Sequence, residues 1–217
     1  MNKKKILTIA LALVLVVAMT VAGTLAVLKE TAPAELQNTF VAAGGGKIIP
    51  TPLADNFKLQ EHAYTWDADT AAYTQGALQA SGVAYDGAAP GMDIPKDPMV
   101  SVNVVKGASA YIFVKIVDTA SLIDWEIDDS NWVAVSGYDG VYVYKNIVAG
   151  TSDSTTEADF ELYQVNVLKD KHVSVQDTTF PAAVDGTVDL GAITITAYAC
   201  QAQGFDDAAA AWADCFA

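Results

Sequence analysis

A period of two runs through this chain and limits what it can become. In "MVSVNV" Val100, Val102 and Val104 fall on one side and Ser101 and Asn103 on the other. In "YIFVKIV" Ile112, Val114 and Ile116 oppose Tyr111, Phe113 and Lys115. "GVYVYKNIV" alternates Val141 and Val143 with Tyr142 and Tyr144, and "AITITAYA" sets Ile193, Ile195, Ala197 and Ala199 against Thr194, Thr196 and Tyr198. Successive side chains of a strand leave opposite faces, so this alternation of β-branched and aromatic residues predicts half-buried strands. Weaker versions occur at 38–41, 57–66, 131–136, 160–168 and 172–176. Gly- and Asp-rich turns separate them, among them "YDGAAPG", "GYDG" and "VDGTVD". Many short strands between such turns predict an all-β sandwich or barrel rather than alternating strands and helices. One short C-terminal helix is expected in "FDDAAAAWADCFA", where Asp206 or Asp207 is placed to cap its positive end.

The first 26 residues follow a different logic. Lys3, Lys4 and Lys5 precede an uncharged apolar run from Ile6 to Ala22, followed by small residues. That order predicts a secretory signal peptide over 1–26, with cleavage between Ala26 and Val27. Extended through Leu28 the run is long enough to span a bilayer, so an uncleaved anchor is the alternative and the membrane contact would be confined to it. The lysines stay inside in either case. All 26 acidic residues follow Ala26, against nine lysines and no arginine, a net charge of −17 on the exported part. Such a surface repels nucleic acid and anionic lipid and excludes nucleic acid as a partner.

Residues that carry chemistry are sparse. There are two histidines, His62 and His172, and no HExxH, so each reads as an imidazole on a strand or turn and no metal site is expected. No GxSxG occurs, and neither cysteine has a neighbouring base. In "IDWEIDDSNW" a calcium loop begun at Asp124 finds Glu126 and Asp128 in place, but Asp129 stands where glycine is needed and Val135 where glutamate is. The cluster therefore reads as a solvated turn. No enzyme, catalytic residue or cofactor follows from these residues. Cys200 and Cys215 are compatible with a disulfide or with two free thiols, since sequence does not supply their separation.

"PGMDIPKDP", 90–98, reads as the approach to a strand. Pro95 and Pro98 hold it extended, and Pro98 opens the strand where a missing N–H does no harm. Lys96 and Asp97 are then expected to face solvent, as a local ion pair worth less than about 1 kcal/mol.

Several segments together resemble a family. "KKKILTIALALVLVVAMTVAGTLAVL" resembles the signals of Gram-positive exported proteins cut by the SipW-type signal peptidase. "NTFVAAGGGKI", "PGMDIPKDPMVSVNVVKGASAYIFVKI" and "ITITAYACQAQGF" with "AAAAW" resemble, in order, the first strand, the PG…KDP segment with two strands, and the C-terminal strand and helix of the TasA and camelysin-like family. The resemblance implies a jelly-roll-like antiparallel β-sandwich secreted to the cell surface or biofilm matrix. It also implies self-association into fibres by donation of an N-terminal strand. On that reading 27–46 is a donor segment with a Gly44–Gly46 hinge, 47–217 is the sandwich, and Leu36, Asn38 and Phe40 point one way along the donated strand. Camelysin's peptidase association brings no zinc motif here. The rival expectation is a monomeric binding module presenting Trp66, Tyr73, Tyr85, Trp125 and Trp132 in loops.

Overall fold

The computed structural model describes residues 57–80, 85, 88–104, 106–120, 122–151, 156, 159–180 and 190–217, with the backbone of two short strands before them. Those are β1 (Lys29–Thr31) and β2 (Val41–Ala43). Then follow β3 (Phe57–Asp67), β4 (Ala72–Gln79), β5 (Asp93–Pro95), β6 (Met99–Val102) and β7 (Ser109–Asp118). The chain continues through β8 (Ile123–Asp124), β9 (Trp132–Ala134), β10 (Val141–Tyr144), β11 (Val148–Ala149) and β12 (Leu162–Asn166). Then come β13 (His172–Val175), β14 (Ile193–Gln201) and a helix, Ala208–Cys215.

One sheet has the order β1-β14-β7-β10-β9, with β2 added to β14 and β11 to β7; a second runs β12-β6-β3-β4, and a third β5-β13-β8. Among the described strands, pairing is antiparallel except between β2 and β14. The inward residues of all three meet in one core. Ile112, Val114, Ile116, Ile193, Ile195, Ala197 and Ala199 come from the large sheet; Phe57, Leu59, Val100 and Val102 from the second; Ile94, Ile123, Val173 and Val175 from the third. This is an all-β sandwich with a C-terminal helix, because alternation gives each strand an apolar side that only another sheet can cover.

Two strands depart from the half-buried expectation. On β7, Phe113 belongs to the nominally outward side yet is fully buried. The helix lies over it: Trp212 meets Phe113 edge-on at 5.3 Å and Tyr198 at 5.1 Å, and Val141, Val143, Cys200 and Cys215 join this second core. The valines of β10 thus face the helix, while Tyr142 and Tyr144 pack on the main core. Asp207 caps the helix by accepting from the Ala210 N–H at 2.8 Å. On β6 and just after it, Ser101 and Asn103 are buried like the valines that alternate with them. Ser101 Oγ accepts the N–H of Gln164 at a bulge in β12, where Gln164 has φ 50°, so the hydroxyl is satisfied inside the protein.

β4 has no clear alternation in sequence. It is specified by the turn before it: Asp67 accepts from the Asp69 N–H and the Thr70 hydroxyl, closing a hairpin that returns the chain along β3.

Candidate functional site

Polar groups concentrate in the core at the end of the β3–β6 ladder. Backbone pairing runs from Phe57–Val102 to Gln60–Met99 and then meets Pro98, which has no N–H to give. Continuing that register places His62 opposite Asp97. Asp97 Oδ1 accepts the His62 backbone N–H at 3.0 Å, and its Oδ2 is 2.6 Å from His62 Nδ1. The carboxylate does there what a strand carbonyl does elsewhere, and it also holds the imidazole. The segment is pinned on both sides: the Lys96 N–H donates to Lys171 O at 2.7 Å, and the Val167 N–H to Pro98 O at 2.8 Å.

This overturns the expectation that Lys96 and Asp97 face solvent. Lys96 is 1% exposed and Asp97 3%. Lys96 Nζ is ion-paired with Glu61, itself 0% exposed, and lies 5.6 Å from the centre of the Tyr85 ring. Burial pulls the Lys96 ammonium down to about 8, against the opposing pull of Glu61. Tyr64 stacks near Tyr85; burial first, then the charge of Asp97, pushes its hydroxyl up to about 12. Tyr85 is raised further, again mainly by burial. Both alternations contained the signal: "FKLQE" puts Glu61 on the face of Phe57 and Leu59, and "IPK" puts Lys96 on the face of Ile94. His62 is likewise more than a bare strand imidazole, being held by Asp97 while its side chain stays 26% exposed.

A second polar feature is a surface recess of about 450 Å³ lined by Asp124, Trp125, Glu126, Lys169, Asp170, His172 and Ser174. Lys169 pairs with Glu126, lowering its carboxyl, but both are half or more exposed and such a pair contributes little. Next to it, Asp128 accepts from the Ser130 N–H at 3.1 Å and from the Asn131 amide at 2.7 Å. Its oxygens are engaged by its own turn, and among the described residues no group of three ligating side chains could hold a metal ion.

The third feature is an edge. β7 accompanies β14 along its whole length, from Ile193–Asp118 to Gln201–Ala110. On the other side, among the described residues, β14 takes two three-residue partners from early in the chain: Lys29–Thr31 against Tyr198–Cys200, and Val41–Ala43 against Thr194–Thr196.

The remaining expected site residues are placed as follows. Cys200 and Cys215 are joined, with Cα atoms 6.8 Å apart, tying β14 to the helix. Ala26 and Val27, and the donor positions Leu36, Asn38 and Phe40, lie outside the described residues. Of the aromatics, Trp132 is 1% exposed and its Nε1 donates to Asn166 O at 2.7 Å, so it belongs to no surface platform. Trp66 and Tyr73 are paired strand residues with rings 5.0 Å apart rather than loop residues. No family model matches this chain, and neither a curated protein nor a solved structure matches it.

Proposed function

We propose that this chain is an exported, non-enzymatic structural protein of a cell surface or biofilm matrix, whose copies join by strand addition at the outer edge of β14. One observation carries the reading. Among the described residues that edge is met by two three-residue strands, and both lie within 27–46, the stretch that the family resemblance marks as a donor segment. A longer run of the same stretch from a second copy offers more main-chain hydrogen bonds to the same edge. Each subunit then gives its segment to one neighbour and accepts from another, a head-to-tail contact that grows filaments instead of closed dimers. The signal-like N-terminus, which would engage signal peptidase during export, and the resemblance to TasA and camelysin-like proteins agree with this reading.

The test is negative-stain electron microscopy of protein beginning at Val27 beside protein beginning at Gly44. Fibres from the first and not the second are expected. Identical fibres from both would remove the N-terminal segment from assembly and with it this proposal.

A further inference from the structure

Between β3 and the β5–β6 connection an amine and a carboxyl lie in direct contact and away from water. Glu61 and Lys96 are 0% and 1% exposed, and their side chains touch. Neither can swing away easily. Glu61 lies in a strand paired on both sides of its position, with Gln60–Met99 before it and its own pairing to Gln79. Lys96 is fixed by its N–H to Lys171 and by Pro95 and Pro98 nearby. The Tyr85 ring lies against the ammonium.

Holding two charges in such a place carries a desolvation cost comparable with what their attraction returns. Converting both to one neutral group removes that cost. Two reactants held in contact also gain the large effective concentration of an intramolecular reaction. From this geometry we infer that Lys96 and Glu61 condense to an intramolecular isopeptide bond.

The step balances without any other reagent. One proton passes from the Lys96 ammonium to the Glu61 carboxylate, giving amine and acid. Nζ then attacks Cδ, forming the C–N bond and breaking the C–O bond. The departing oxygen takes a second hydrogen from Nζ and leaves as water, so no net proton or electron is exchanged with solvent. The lowered proton affinity of Lys96 favours the neutral amine that the attack needs. The product is a covalent tie between β3 and the lead-in to β6, at the place where Pro98 ends their backbone ladder.

The sequence supplies a direct assay. No lysine lies between Lys58 and Lys96, the next is Lys106, and arginine is absent. Trypsin cuts after a free Lys96 and releases 59–96 and 97–106 separately. An acylated Lys96 resists, giving one peptide, 59–106, lighter than its sequence by the mass of one water. Mass spectrometry of digested, denatured and reduced full-length protein should find that peptide as the main species, with fragmentation placing the link at Glu61 and Lys96. Recovery of 59–96 at its full mass as the main species would overturn the inference. Glu61→Ala should restore cleavage after Lys96 whether or not that variant folds, because the readout follows denaturation. A water loss persisting in Glu61→Ala would place the chemistry elsewhere and equally refute it.

Discussion

Replacing Asp97 by alanine tests whether its side chain acts as a substitute strand carbonyl. The substitution removes the acceptor of the His62 N–H, at 3.0 Å, and of the ring contact, at 2.6 Å. Hydrogen bonds to a charged acceptor are worth about 1.5–3 kcal/mol each, and an orphaned buried donor adds its own desolvation. The His62 side chain is 26% exposed and regains water when its partner goes, so the ring contact counts for less than its length suggests. The expected loss is about 2–4 kcal/mol, dominated by the stranded backbone N–H. For a chain of this size that lowers Tm by about 5–15 °C. Asp97→Asn keeps an amide oxygen in the same position and should cost only about 1 kcal/mol. Thermal melts followed by circular dichroism give both numbers, and hydrogen exchange should show the His62 amide losing protection in the alanine variant alone. An alanine variant melting within a degree or so of the parent, or an asparagine variant falling as far as alanine, would refute the reasoning.

Further outcomes follow from other parts of the fold. Reducing the Cys200–Cys215 bridge, which closes a loop of 15 residues, should cost about 3 kcal/mol and loosen the packing of Trp212; melts with and without reductant, read by tryptophan fluorescence, check it. Gly140→Ala should cost more than about 2 kcal/mol, because φ is +68° and the new Cβ meets the Ile116 carbonyl; a urea titration measures it. Tyr64 holds its proton to about 12 in the folded protein and to about 10 when unfolded. The folded state therefore binds the extra proton between those values, and stability should fall as pH rises through that window. Tyr64→Phe should flatten the fall, and phenolate absorbance should show the delayed ionisation in the native protein.

Much of the framework was legible because alternation is a local property. β7 and β14 can be read from their own residues, including which of them enter the main core. What alternation does not encode is what lies on the other side. Phe113 and Ser101 sit on faces that read as outward, and they are buried by the helix Ala208–Cys215 and by a bulge in β12. β4 is not legible in the sequence, because its pattern is irregular and its position comes from the Asp67 turn and its pairing with β3. Lys96 and Asp97 looked solvated because charge usually is. Their partners, Glu61 and His62, lie 35 residues earlier, and the register that aligns the two pairs exists only once β3 and β6 have met.

The long pairing of β14 with β7 also bears on how the molecule carries force. A pull along β14, applied at its outer edge, is parallel to the strand axis. It loads nine residue pairs side by side instead of opening them one after another. Peeling needs the strand's end to lift first, and that end is fastened to the helix through Cys200. The joint is thus arranged in shear, and tension taken up at the edge passes into the middle of the large sheet before any single pair has to yield.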